Sequence, residues 1–341
     1  TFQMRVAGTM NGQRGIYRNV ATGKYAQNLE NYAFRATMRY APSDTFEALL
    51  KGEISESQNN GGLVLRQTLC PPPAPFTAAG FCAVNRAAGA PTGLDNSLYT
   101  SNAGNYSRLR NKEAVLTLNG DLGEHTLSST TGYYEYDFKL NLDNDGTATR
   151  LLNVAAPEGY HQFSQELRLS SPVGQPIEYM AGLYYQDDTL DIQQDVSFFF
   201  LTPNLSVPAV FAPLVPLLPI GQQVIAKQKS RTYSGFGSIT VNATDALKLS
   251  AGMRYSIVER DFDWMLRFGT ATQDYGAINP FPAALQPTAA LIGIGTPGTV
   301  ALKRSDREFM PSARIQYDLA PDVMVYASYA HGFKAGGFSV A

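Results

Sequence analysis

The sequence predicts an all-β chain that crosses a membrane as an antiparallel transmembrane β-barrel, contributing about eleven strands with short turns at one end and long loops at the other. Three observations carry that reading. Apolar and polar residues alternate with period two in segment after segment. Short and long connections alternate strictly along the chain. Charged residues make up only 16% of the 341 residues, against roughly 25% in soluble globular chains.

The clearest hairpin lies in QFSQELRLSSPVGQPIEYMAGLYYQ, residues 162–186. Phe163, Leu167 and Leu169 alternate with Ser164, Glu166, Arg168 and Ser170, and after a turn Tyr179, Ala181, Leu183 and Tyr185 repeat the pattern. Earlier strands follow the same rule. Phe2, Met4 and Val6 oppose Gln3 and Arg5, and Tyr32, Phe34, Ala36, Met38 and Tyr40 oppose Arg35, Thr37 and Arg39. In TFEALLKGEIS, Phe46, Ala48, Leu50 and Ile54 oppose Glu47, Lys51 and Glu53, with Leu49 the exception. KEAVLTL and HTLSSTTGYYEY are less cleanly patterned, and RTYSGFGSITV follows the hairpin. Leu247, Leu249, Ala251, Met253, Tyr255 and Ile257 then oppose Lys248, Ser250, Arg254 and Ser256. Phe309, Ala313, Ile315 and Tyr317 oppose Glu308, Ser312, Arg314 and Gln316. In the last candidate, VMVYASYAHGF, both faces are largely apolar.

The connections are as informative. Five are short: APSD, NGDLGE, SPVGQP, NATD and LAPD, each built from residues with turn chemistry. Between them lie long connections at about 11–31, 58–110, 137–162, 196–230 and 263–306. Unstructured loops of that length are uncommon in compact domains. A membrane barrel explains them, because its strands return through tight turns on one side and long loops on the other. It also satisfies every backbone polar group in hydrocarbon. The apolar face then touches lipid, and the face carrying Arg, Lys, Glu and Ser lines a lumen. Tyr40 and Tyr317 precede short turns, while Tyr32 and Tyr185 lie near the opposite strand ends, as expected of two aromatic girdles.

Composition excludes other classes. A net charge of -2 and the lack of a Lys/Arg cluster give no footprint for nucleic acid. No apolar run is long enough for a transmembrane helix, and the most apolar stretch, SVPAVFAPLVPLLPIG, carries four prolines. Cys70 and Cys82 share a Pro-, Ala- and Gly-rich loop. They read either as a disulfide formed in an oxidising compartment or as two unrelated thiols. The disulfide is the expectation, since such a loop offers no core to hide a thiol. His125, His161 and His331 are far apart and away from both cysteines, so no metal site and no metal cofactor are expected. VATGKYA lacks the glycine spacing of a phosphate loop. Gly235 and Gly237 read as small residues where a neighbouring chain or ring packs. Asp187, Asp188, Asp191 and Asp195 lack calcium-loop spacing and read as a solvated rim. No catalytic Ser/His/Asp set can be assembled, so no enzyme is expected. Ligand contacts would come from the long loops and upper lumen wall, with aromatic patches around Tyr106 and around Trp264 and Tyr275, but no binding residue can be named.

Taken in order, FSQELRLSSPVGQPIEYMAGLYY, TYSGFGSITVNATDALKLSAGMRYS and FMPSARIQYDLAPDVMVYASYAHGFKAGGF resemble the barrel of TonB-dependent outer-membrane receptors. NVATGKYAQNLENYAFRATMRYAPSDTFEALLKGEIS resembles an earlier strand pair of the same barrels, and YASYAHGFKAGGF is the strongest match. The resemblance implies a barrel of about 22 strands around a plug, in the outer membrane of a Gram-negative bacterium. It further implies import of a bulky, scarce ligand such as a ferric siderophore, cobalamin or an oligosaccharide. The TonB–ExbB–ExbD complex would supply energy through an N-terminal TonB box. Residues 1–341 are read as a partial barrel domain, an internal fragment without the plug, the box or the C-terminal strands. Two rival readings remain at this point: a passive porin-type channel, and a secreted soluble β-rich binding protein.

Overall fold

The computed structural model describes residues 1–61, 64, 86–87, 91, 97–101, 104–146, 148, 150, 152–198, 216–217, 219–272, 278–290 and 295–339. Cys70, Cys82 and Tyr275 lie outside the described residues.

Eleven long strands form one antiparallel meander in which every strand pairs with its neighbours in sequence. They are β1 (Phe2–Gln13), β2 (Asn28–Ser43), β3 (Phe46–Asn60), β4 (Tyr106–Leu122), β5 (His125–Asp143) and β6 (Glu158–Ser170). The meander continues through β7 (Ile177–Phe198), β8 (Ile220–Asn242), β9 (Leu247–Ala271), β10 (Gly298–Ala320) and β11 (Val323–Ala330). The sheet is open, with β1 and β11 as its edges. A second, three-stranded sheet joins Tyr17–Asn19, Tyr25–Ala26 and Leu98–Tyr99 on the long-loop side. Among the described residues no helix is long and apolar enough to cross a membrane.

The short connections match the expected turns, and two need a left-handed residue that glycine supplies. Gly123 joins β4 to β5 at φ 65°, and Gly174 sits in the β6–β7 turn at φ 79°. At the other end the strands run further than alternation indicates. β8 already begins at Ile220 and β9 continues to Ala271, so the loops between strands are shorter than the pattern suggests. Beyond the lipid both faces meet water or other loops, so alternation fades while the backbone ladder persists.

Register aligns the apolar positions into one face. Across β2, β3 and β4, Met38 faces Leu50 and Leu50 faces Leu116. Across β6 to β9, Leu167 faces Leu183, Leu183 faces Gly235, and Gly235 faces Tyr255. Leu183, Met253, Phe309 and Ile315 stand exposed on that face rather than in a core between two layers. Two packed sheets would have buried them. On β7 the apolar run from Ile177 to Tyr185 spans about 27 Å along the strand. A tilt of about 40° reduces this to about 21 Å, close to the roughly 25 Å apolar band of outer-membrane barrels. The register also places Leu249 two residues from the short-turn end of β9, so Met253 lies nearer the middle of the band.

At Gly237 the neighbouring strand packs closely, as the sequence suggested, since a Cβ there would fall 3.2 Å from the Met180 carbonyl oxygen; a Cβ at Gly235 would only touch Leu183 at 3.8 Å. The glycine that makes room for a ring is Gly182, whose Cβ would fall 2.4 Å from Phe236.

Candidate functional site on the inner wall and at the mouth

The face opposite the lipid is a polar wall whose side chains bind one another. Tyr134 and Tyr136 on β5 and Tyr160 on β6 form a cluster, with Tyr136 and Tyr160 stacked at 5.3 Å and 20°. Their hydroxyls are held: Tyr134 donates to Asn111 Oδ1 at 2.9 Å, Tyr160 to Gln162 Oε1 at 2.7 Å, and Tyr136 to Glu158. Lower on the wall Tyr184 donates to Gln186 Oε1 at 2.6 Å, and Gln186 donates to Asp188 at 2.8 Å. Arg254 donates to Ser234 Oγ at 2.9 Å and to Ser256 Oγ at 3.2 Å, with its guanidinium 5.3 Å from the Tyr184 ring. These rings and amides suit an oxygen-rich, partly aromatic ligand passing along the wall. The signal for the cluster was GYYEY, where tyrosines recur on alternate positions; their shared face became visible only with the register.

The mouth has its own small core. Phe198, Ile220, Val224, Leu266 and Phe268 from the upper ends of β7, β8 and β9 pack with Phe281 and Ala289 of the β9–β10 connection. Gln286 fastens that connection: it accepts from the Phe268 N–H at 2.8 Å and donates to the Phe268 and Phe281 carbonyls at 2.9 and 3.0 Å. Trp264 packs against this core. The sequence pattern set Trp264 at the start of a long loop; it stands instead on β9, partly buried.

After β11 the chain runs back over the inner wall. Phe338 stacks on Phe262 at 4.9 Å and 16°, and Arg260 Nη1 donates to the Gly336 carbonyl at 2.6 Å. Arg304 grips Asp306 through Nε and Nη2 at 2.8 and 2.7 Å, and Arg260 lies 3.7 Å from the same carboxylate. His331 meets Glu308 at 3.2 Å, and His125 meets the Tyr179 hydroxyl at 2.5 Å, so both histidines have structural partners.

The acidic run on β7 divides by environment. Asp187 pairs with Arg231 at 3.1 Å and Asp191 with Lys227 at 3.0 Å, both on the outward face above the apolar band. Asp188 and Asp195 are buried instead, which corrects the view of a uniformly solvated rim. Asp195 lies ten residues beyond Tyr185, well outside the bilayer. Burial pushes its carboxyl above the usual range, against the opposing hydrogen bonds from Gln193 and Gln223. Tyr99, in the small sheet, is likewise raised by burial. Among the described residues no cluster could hold a metal ion.

Residues 56–340 match the family model described as TonB dependent receptor-like, beta-barrel. Solved structures share the architecture. The ferric yersiniabactin uptake receptor FyuA from Yersinia pestis superposes with a TM-score of 0.66 at 13% identity, over 96% of this chain and 41% of FyuA. The ferric-catecholate import receptor Fiu from E. coli K12 gives 0.60 at 13% identity, over 97% of this chain and 50% of Fiu. The siderophore receptor PiuA from Acinetobacter baumannii gives 0.58 at 13%, over 96% of this chain and 45% of PiuA. At such identities the likeness is one of fold, and this chain spans about two-fifths to one half of their length. With the family match covering most of its residues, the chain belongs to the TonB-dependent receptors, β-barrels of the Gram-negative outer membrane.

Proposed function

We propose that the whole protein to which this barrel sector belongs imports a bulky, scarce ligand across the outer membrane, with a ferric siderophore as the leading class. Energy comes from the TonB–ExbB–ExbD complex, acting through an N-terminal plug and TonB box. In this reading residues 1–341 are part of the barrel domain, and the chain works as a transporter rather than an enzyme. The family match over 56–340 carries the proposal. Its structural neighbours include ferric yersiniabactin and ferric-catecholate receptors, which favours an iron chelate over cobalamin or an oligosaccharide. A porin shares the turn and loop pattern, so the family match is what separates this reading from a passive channel. Tyr134, Tyr136, Tyr160 and Arg254 are the inner-wall residues assigned to the ligand path.

Uptake of labelled ferric chelates by iron-starved cells carrying the full-length gene tests the proposal. Accumulation that stops when TonB is deleted supports it. Entry that continues without TonB and falls steadily with solute size establishes the passive channel instead.

A further inference from the structure

The inner wall of β5 to β7 differs from the rest of that face in how its carboxylates are matched. On β2 to β4 they meet cations: Glu47 with Arg39, Glu53 with Arg35 and Glu113 with Lys51. On β10 Asp306 meets Arg304 and Glu308 meets His331. Glu158 and Glu166 of β6 and Asp188 of β7 have no ion pair among the described residues. Glu158 is bonded through Tyr136 and Asp188 through Gln186, and the Glu166 carboxylate has no partner there.

Register sets these three around the tyrosines of the wall. One row holds Asn111, Tyr136, Tyr160 and Leu190, and the next same-face row towards the membrane holds Glu113, Tyr134, Gln162 and Asp188. Glu158 stands one row above Tyr160, and Glu166 faces Tyr184 two rows below Asp188. Tyr184 is level with Tyr185 at the outer edge of the apolar band, so the patch lies in the upper lumen. Arg168 and Arg254 bound it one row below Glu166, and Arg254 is bonded to Ser234 and Ser256. Arg260 shares the row of Asp188 two strands away, held by Gly336 and Asp306.

This patch offers a ligand acceptors and few donors. Tyr134 lies 6.1 Å from both Tyr136 and Tyr160. The hydroxyl protons of Tyr134, Tyr136, Tyr160 and Tyr184 all go to acceptors on the wall. Asn111 and Gln186 spend amide N–H groups on Ser55 and Asp188. Apart from the Gln162 amide, what stays open is ring faces, phenol oxygens and carboxylate oxygens, all of them negative. Asp188 is the sharpest case. It is 8% exposed, yet only its Oδ1 has a partner among the described residues. A carboxylate so withdrawn from water is costly until an opposite charge reaches it.

We infer that this patch binds an organic cation, the protonated amine or quaternary ammonium group of the imported ligand. The inference rests on the import reading above and narrows its substrate class to chelates that carry such a group. A cation over a tyrosine face is attracted by the ring quadrupole, and the carboxylates beside it supply the opposite charge. An inorganic ion would need converging ligands instead, and the described residues hold no such cluster. A purely anionic chelate meets three like charges here.

The test uses the full-length receptor purified in detergent and two probes of one shape. These are choline and its uncharged tert-butyl analogue, in which carbon replaces the ammonium nitrogen. Affinities are read by ligand-observed NMR for the wild type, for a triple variant (Glu158→Gln, Glu166→Gln, Asp188→Asn) and for Glu166→Gln alone. The heat-dependent gel shift checks folding. Choline should bind the wild type at least about tenfold more tightly than the analogue. The triple variant should lose at least about tenfold in choline affinity, with the analogue unchanged. Glu166→Gln gives up no bond among the described residues, so it keeps the test open if the triple variant does not fold, and it should show a smaller loss in the same direction. Equal affinity for the two probes overturns the inference, as does undiminished choline binding by a folded variant. Failure of the import reading looks different: uptake continues without TonB while the preference for choline stands. A missing preference alongside TonB-dependent uptake removes this inference alone.

Discussion

Tyr185 and Tyr233 face each other across β7 and β8 with ring centroids 5.3 Å apart, and the next outward pair above them, Asp187 and Arg231, is an ion pair at 3.1 Å. The apolar band ends between these two rows. A tyrosine ring is stable at that level because its carbon body lies in the interface and its hydroxyl reaches water. A carboxylate and a guanidinium one step higher remain hydrated.

That boundary sets how much a charge should cost. Met253→Arg, near the middle of the band, should destabilise the folded barrel by about 2–4 kcal/mol. Arg231→Ala, above the band, should change stability by less than about 1 kcal/mol, because an exposed ion pair contributes little. Denaturant titration of the full-length protein in bilayers measures both, and equal costs at the two positions would remove the membrane boundary from this level.

The tyrosine pair should be worth more than its separate members. A double-mutant cycle of Tyr185→Ala and Tyr233→Ala should return a coupling of about 0.5–1.5 kcal/mol. Strict additivity would mean the rings serve the interface independently.

Gln286 is predicted to act locally. With Gln286→Ala, the buried Phe268 N–H and the Phe281 carbonyl lose a partner, while the Phe268 carbonyl keeps the Phe281 N–H at 2.9 Å. The connection over the mouth should loosen by about 1–3 kcal/mol. Hydrogen exchange should accelerate across 278–290 and stay unchanged in the lower halves of β7, β8 and β9.

Arg260 anchors the segment that returns over the inner wall. Arg260→Ala removes the bond to the Gly336 carbonyl, and a hydrogen bond to a charged donor is worth about 1.5–3 kcal/mol. Amide exchange within 332–338 should rise at least about tenfold, with the stacking of Phe338 on Phe262 lost in parallel. No change would show that the aromatic pair alone holds the segment.

The comparison of pattern with fold is instructive where the two diverge. β10 was legible because Phe309, Ala313, Ile315 and Tyr317 alternate with polar residues inside the lipid zone. The same strand starts at Gly298, over residues where alternation no longer reports pairing, and the pattern missed that extension. Trp264 and Asp195 were misplaced for a related reason. Packing partly buries Trp264 and hydrogen-bonded pairing fully buries Asp195 beyond the lipid belt, and no local spacing encodes either.

By itself the sequence determined that the chain is a membrane-spanning β-meander with one greasy face, because period-two alternation and turn chemistry act over a few residues. Only the tertiary structure decided which residues meet: Glu56 with Arg110 and Tyr136 with Tyr160 in shared rows, and Phe268 with Gln286 through hydrogen bonds. Register brings together residues that are distant in the chain, and a shift of one position would exchange the two faces. Alternation therefore fixes the face of a side chain, while pairing across strands fixes its partners.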